Sequence, residues 1–349
     1  MFVPPRCPDT ACPQHLRPTP SFFRRRGFYY PASRQEGVPR FLCKTCKKTF
    51  SRQTFRHDNR DRRPDTNAMC FMLLASGVGL RQTARVIEIN PRSVQGKKRK
   101  MARTFGWLHD NLCPRLPIGR TYLLDEEETY ETAAIRPLTM PVLIEKEAWF
   151  VVATAVGSIR RLAKAGSRRR ELQEAEERDV GARPDQSSEC VRQVLTRLAE
   201  KAPDGPILLH TDQKASYPPI ARQVLGDRLV HETTASTLVR DTHNPLFAVN
   251  TTLAMTRDNC GRLRRRSWLV TKKAACLQNH LLIFLVYRNY VRKRFNRDKR
   301  TDTPAKVLGL LPRNLQREEV LAWRQDWGDL SIHPMSLDAR RTVRDVVPA

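Results

Sequence analysis

Tyr122-Leu123-Leu124-Asp125 and Ile207-Leu208-Leu209-His210-Thr211-Asp212 are two apolar runs that each close on an aspartate. Apolar stretches of this length, bounded by turn signals, suit strands in the middle of a sheet. A carboxylate at the end of a buried strand is held rigidly at an opening of the fold. Two of them on neighbouring strands offer hard oxygen ligands for Mg²⁺ or Mn²⁺. Working outward, strands are expected at 120–125, 140–145, 148–156 and 206–212. Amphipathic helices are expected at 190–200, through Val191, Val194, Leu195 and Leu198, and at 272–295, through Leu277, Leu281, Phe284, Leu285 and Tyr287. Three strands in a row, then a helix, a strand and more helices predict an α/β architecture with a mixed sheet. The charged segment 157–188, with Arg168-Arg169-Arg170-Glu171 and then Glu174, Glu176 and Glu177, reads as an exposed helical insertion or a loop.

The chain of 349 residues carries a net charge of +27. A surplus of that size destabilises a compact chain unless a polyanion relieves it. The basic residues are also clustered. Residues 91–106 hold six Lys/Arg (Arg92, Lys97, Lys98, Arg99, Lys100 and Arg103) and no acid. Residues 257–300 hold fourteen, against only Asp258 and Asp298. Each neutralised phosphate releases counterions and adds salt-sensitive affinity. A hard-metal site in a chain built to meet phosphates points to metal-assisted phosphodiester chemistry. No apolar run is long enough to span a bilayer and none at the start has signal-peptide length, so a cytoplasmic chain without a membrane partner is expected. Nine cysteines, of which four are regularly spaced, argue against a disulfide framework.

Those four are Cys7 and Cys12, spaced C-x4-C, and Cys43 and Cys46, spaced C-x2-C. Two tight thiolate knuckles can close one tetrahedral Zn²⁺ site of four sulfurs, with no position left open for catalysis. His15 and His57 are possible substitutes for one cysteine. Between the pairs, Phe22, Phe23, Phe28, Tyr29 and Tyr30 surround Arg24-Arg25-Arg26, which suggests a β-hairpin with a basic face. So short a segment has little core, so a metal would supply much of its folding free energy. The plainer alternative is four unrelated thiols in a disordered arm.

Residues 65–105 read as helices. The stretch 67–75 is apolar and ends before Gly77; 80–87 carries Leu80, Ala84 and Ile87 at helical spacing; Asn90-Pro91 then opens a third helix to about Phe105. Two short helices, a tight turn and a basic third helix match a helix-turn-helix that sets its last helix in the major groove. Arg92, Ser93, Gln95 and Lys97 would lie near the base-facing end. An ordinary bundle with a solvated basic face fits the same pattern.

A two-metal site usually needs a third ligand, most often Glu, yet no Glu lies between Glu232 and Glu318. Asn244-Pro245 reads as an N-cap and N1 proline of a helix on which Asn250, Leu253, Ala254 and Arg257 share one face. The Asn250 amide oxygen can ligate Mg²⁺ without adding charge, and Arg257 can hold a phosphate beside it. Spacing alone does not separate Asn250 from an ordinary asparagine.

Asp125-Glu126, Thr211-Asp212-Gln213-Lys214-Ala215-Ser216-Tyr217, Asn250 seven residues before Arg257, then Arg262-Leu263-Arg264-Arg265-Arg266-Ser267-Trp268 and Thr271-Lys272 stand in that order. Behind the cysteines and the helical segment, this order resembles the bacterial DDE-type insertion-sequence transposases. In that group the second aspartate commonly lies in T-D-x-x-x-x-Y, and the third region has Glu, or in some subgroups Asn, seven residues before Lys or Arg. The resemblance spans most of residues 5–295. It implies an RNase H-like core with two Mg²⁺ ions held by Asp125, Asp212 and Asn250. It also implies Arg264, Arg265 and Arg266 among the DNA contacts, and a homodimer or higher oligomer to pair two double-stranded DNA ends in the nucleoid. The departure from Glu removes a negative charge. Asp258 lies roughly 80° off the Asn250 face at 100° per residue, whereas Glu126, Glu127 and Glu128 stand beside Asp125.

The expected divisions are a zinc ribbon at 1–63, a helix-turn-helix at 64–108, a catalytic domain at 109–300 with its insertion near 157–188, and a tail at 301–349. The expected function is DNA cleavage and strand transfer. A non-enzymatic DNA-binding regulator, or a metal-dependent nuclease without strand transfer, are the alternatives; the missing Glu favours the first, and the retained aspartates disfavour it.

Overall fold

A computed structural model describes residues 2–30, 37–264 and 268–323. The chain opens with one turn of helix, α1 (Pro13–Leu16), and three strands, β1 (Phe23–Tyr29), β2 (Val38–Cys43) and β3 (Thr49–Ser51), in an antiparallel sheet of that order. Phe22, Phe41, Phe50 and Phe55 are buried with Cys7, Cys12 and Cys43 in a small core of their own. Arg24, Arg25 and Arg26 of β1 are all exposed.

Three helices follow: α2 (Asn67–Ala75), α3 (Leu80–Val86) and α4 (Pro91–Leu112). The Asn90 side chain caps α4 by accepting the Arg92 amide at 2.8 Å, with Pro91 in the first turn. The helix runs seven residues past the expected end at Phe105. Its apolar ridge simply continues, through Met101, Phe105, Leu108 and Leu112, all buried.

The second sheet holds β4 (Thr121–Tyr130), β5 (Pro137–Glu145), β6 (Val151–Thr154) and the short β7 (Gly157–Ser158). After α5 (Arg168–Val180) and α6 (Ser187–Lys201) come β8 (Ile207–Asp212), α7 (Tyr217–Leu225), β9 (Leu229–Thr234), α8 (Phe247–Asn259) and α9 (Ala274–Val286). The order is β6-β5-β4-β8-β9, with β7 on β5. The first three strands pair antiparallel, whereas β8 pairs parallel with both β4 and β9. The α/β reading with a mixed sheet therefore holds. The insertion is helical and largely exposed; Arg160 pairs with Glu177 inside it, and Glu176 pairs with Arg136 ahead of β5.

Four expectations need correcting. Strand β4 does not stop at Asp125 but carries Glu126, Glu127 and Glu128 five residues further along β5. Strand β9 was not expected, because His231, Glu232 and two threonines break its apolar run at the exposed sheet edge. Helix α8 begins at Phe247, since the Asn244 side chain is used in the preceding turn, accepting from the Leu246 amide and donating to Val239. Residues 301–323 are no tail: α10 (Pro304–Val307) and α11 (Arg317–Ala322) bury Leu308, Leu311, Val320 and Trp323 in the main core.

That core is continuous from Cys70 to Trp323. Helix α4 packs along α9, so the helical segment shares its interior with the sheet. The turn between α2 and α3 sits against the end of α8. Gly77 there has φ +76°, and a Cβ on it would lie 2.5 Å from the Asp258 carbonyl oxygen. Gly77→Ala is expected to cost about 2 kcal/mol or more in chemical denaturation. Gly96→Ala, inside α4 with nothing within 4 Å of the added Cβ, is expected to gain about 0.5–1 kcal/mol.

Candidate functional site

The Sγ atoms of Cys7, Cys12, Cys43 and Cys46 lie within 4.8 Å of one another. The Cys7–Cys46 and Cys12–Cys43 separations are 3.5 and 3.9 Å. A tetrahedron with Zn–S of about 2.3 Å spaces its sulfurs about 3.8 Å apart. All four thiols are free. Burial opposes ionisation of Cys43, but the Cys46 and Thr45 amides outweigh it and bring the thiol down to about 7. Burial drives Cys7 and Cys12 upward, as expected where a cation would have to hold the negative charge. The cluster can therefore hold a metal such as zinc. Neither histidine takes part: His15 Nδ1 donates to the Cys7 carbonyl at 2.7 Å, and buried His57 packs beside Asn67. Purified protein is expected to carry about one Zn²⁺ per chain. Cys43→Ser should lose it in metal analysis and unfold the N-terminal sheet while the larger sheet stays folded.

The second cluster follows from the register of β4 and β8. Leu123 pairs with His210 and Leu124 with Thr211, so Asp125 and Asp212 come next on adjacent parallel strands. Continued by one residue, that register sets both carboxylates on the same face, and the Asp212 charge acts on Asp125. Asp125 Oδ1 accepts the Glu126 amide at 2.7 Å, and Asp212 Oδ1 accepts the Lys214 amide at 3.0 Å. Burial raises the Asp125 carboxyl to about 6; the Glu126 amide opposes this, the Asp212 charge adds to it, and Arg240 lowers it. Lys214 and Arg240 are neighbours that the sequence reading did not single out. Lys214 lay within the quoted T-D-x-x-x-x-Y stretch, whereas nothing marks Arg240, in an exposed loop, beyond its charge.

The three glutamates beside Asp125 are engaged elsewhere. Glu126 alternates to the other face, accepting from Thr139 at 2.5 Å and from Lys214 Nζ at 2.8 Å. Glu128, on that same alternate face, pairs with Arg161 of the insertion. Glu127 shares the Asp125 face and accepts from Arg257 at 2.5 Å. That ion pair ties α8 over β4. Asn250, two helical turns before Arg257, is half-buried, and its amide makes no side-chain hydrogen bond among the described residues. Among those residues, only the four cysteines form a cluster of three or more His, Cys, Asp or Glu with ligand atoms gathered together. Among the described residues, no third acidic side chain gathers with Asp125 and Asp212.

Helix α4 corrects the expected basic cluster. Lys97 is buried, its Nζ donating to Asp61 at 2.5 Å and to Asn67 and the Arg63 carbonyl at 2.7 Å. Lys98 is fully buried and donates to the Cys276 carbonyl at 3.0 Å. Lys100 bonds the Asn59 carbonyl, and Gln95 Nε2 lies 3.2 Å from Cys276 Sγ. The Lys97 and Lys100 ammonium groups fasten the helix to its neighbours, and neither Lys97 nor Lys98 lies on its exposed surface. Arg92, Arg99 and Arg264 are exposed, while Arg265 and Arg266 lie outside the described residues.

No protein-family model and no curated protein sequence matches the chain. Among the described residues, no helix is long and apolar enough to cross a membrane.

Because folding raises Asp125 from 3.8 to about 6, the folded chain binds that proton more tightly than the unfolded one. Stability is therefore lost as pH rises from about 4 to about 6. Without added divalent metal, Asp125→Asn should be about 2 kcal/mol more stable than wild type above pH 6. The gain should vanish near pH 4, as read by thermal melts across pH.

Proposed function

We propose that this protein is a DNA transposase that binds transposon ends and uses a divalent metal on Asp125 and Asp212 for DNA cleavage and strand transfer. The carrying observation is the pairing of β4 with β8, which brings the two aspartates side by side on one face. The raised Asp125 carboxyl supports it, since a divalent cation would relieve both the burial and the charge of Asp212. The sheet order supports an RNase H-like core: the chain's third, second, first, fourth and fifth long strands, antiparallel on one side of β4 and parallel on the other. The cysteine cluster and the three helices ahead of the sheet support the ribbon and helix-turn-helix reading.

Asp125 and Asp212 would hold Mg²⁺ or Mn²⁺ through hard carboxylate oxygens. Bound there, the ions supply Lewis acidity and charge neutralisation to phosphodiester cleavage. Asn250 would add a neutral oxygen. Arg257 is held by Glu127 and keeps part of its guanidinium open to solvent, where it can meet a phosphate. Cleavage leaves a 3′-hydroxyl, which becomes the nucleophile for strand transfer without a covalent enzyme intermediate. Exposed Arg92, Arg99 and Arg264 would contact DNA, and two ends would be paired by at least a dimer.

A second reading has its own support. Among the described residues no third acidic side chain joins the aspartate pair, which favours a DNA-binding regulator that no longer cuts.

The test is a cleavage assay on end DNA at matched occupancy. Asp212→Asn should abolish Mg²⁺-dependent cleavage and spare binding. Asn250→Ala should lose cleavage, Asn250→Glu should keep more activity than Ala, and Asp258→Ala should matter little. A wild type that binds its ends but cuts nothing in Mg²⁺ or Mn²⁺ would replace this reading with the second.

A further inference from the structure

A cavity of about 590 Å³ lies where the α2–α3 turn and α4 meet the segment after α8 and the start of α9. Five cations line it, Arg81, Arg85, Lys98, Arg262 and Lys272, and among the described residues no carboxylate does. None of the five forms an ion pair among the described residues. Arg81, Arg85 and Lys272 are exposed, Arg262 is half-buried, and Lys98 is fully buried with one carbonyl partner for its three donors. Positive charges gathered in a partly desolvated space without an acid repel one another, so the folded chain gains by admitting an anion. Burial pushes the Lys98 ammonium down to about 7, and the charge of Arg262 adds to the effect.

Two further features of the wall suit a ligand larger than a bare ion. Buried His280, which also lines the cavity, uses its Nε2–H on the Leu74 carbonyl at 2.8 Å and leaves Nδ1 without a partner. With Nε2 the donor, Nδ1 is an acceptor and suits an N–H or O–H group of a ligand. The wall also carries the apolar side chains of Leu80, Leu269 and Val270 and the indole of Trp268, which is 94% exposed. An exposed indole beside cations is a surface on which a base can stack.

We propose that this cavity binds one nucleotide of a DNA strand, with its phosphate on Arg262, in the field of the buried Lys98 behind it, and its base against Trp268. The site adds a strand contact between the helical segment and the sheet. It rests on the DNA reading above but on none of the metal ligands, so Asp212→Asn should bind as wild type does.

Isothermal titration calorimetry on the full chain tests it, with deoxyadenosine monophosphate and inorganic phosphate as probes. The nucleotide should bind roughly tenfold or more tighter than phosphate, the gain expected of one base stacked on an aromatic ring. Trp268→Leu should remove that difference. Arg262→Gln should weaken the nucleotide roughly tenfold, as loss of a charge-assisted hydrogen bond does, and Lys98→Met should weaken it in the same direction by removing the positive charge behind the phosphate. Lys98→Met should keep the wild-type melting temperature, because it removes a buried charge with no acid partner. Lys272→Gln, at the exposed mouth, gives a weaker effect in the same direction without touching the core. Single-stranded oligothymidylate should displace the nucleotide from both wild type and Asp212→Asn. Equal affinity for the two probes, or nucleotide binding unchanged in Lys98→Met, Arg262→Gln and Trp268→Leu, would overturn the assignment. Failure of the oligonucleotide to compete would overturn its assignment to a DNA strand.

Discussion

The parallel pairing of β4 with β8 is the constraint on which the rest of the molecule turns. Its register, Thr121 with Leu208 through Leu124 with Thr211, forces the next two residues together, and both are aspartates. Two like charges held beside each other oppose the fold, and Asp125 shows it in a carboxyl raised to about 6, chiefly by burial. The apolar runs behind the pair, Tyr122, Leu123 and Leu124 on one strand and Leu209 on the other, are buried and fix the strands regardless. Perturbed, closely paired carboxylates retained against stability are a mark of functional sites. Helix α8 is tied to the same face through Glu127 and Arg257.

Charge has two separate uses in this chain. Part of the surplus is internal. Lys97 satisfies its ammonium on Asp61, Asn67 and a carbonyl, which draws the 52–66 stretch onto α4. A buried ammonium with three good acceptors holds geometry firmly, and removing its acid partner would leave a costly orphan charge. Another part faces solvent, at Arg92, Arg99 and Arg264. Between the two lies the cationic cavity around Lys98 and Arg262, neither neutralised nor fully hydrated. The helical segment and the sheet thus share a core and a basic seam.

Much of this was legible in the sequence where one local rule sufficed. The cysteine spacing gave the four-thiol cluster, the apolar runs gave β4 and β8, and Asn90-Pro91 gave the start of α4. What was hidden depends on partners far along the chain. Glu126, Glu127 and Glu128 look like the end of a strand, yet β5 pairs with all three. Lys97 and Lys98 look like a solvated basic run, yet α4 is long enough that Asp61 and Cys276 meet them in the interior. Strand β9 carries a polar pattern because it lies at an edge, and 301–323 pack inward although the composition there is mixed. At the aspartate pair, the sequence supplied both residues, and the register decided that they are neighbours.

Mn²⁺ titrated into the zinc-loaded chain and followed by electron paramagnetic resonance tests the aspartate pair most directly. Wild-type protein should take up the free Mn²⁺ signal, and Asp125→Asn and Asp212→Asn should each leave it in solution, with the zinc content unchanged. Uptake that survives both substitutions, or no uptake by the wild type, would contradict a divalent metal site at these two strands.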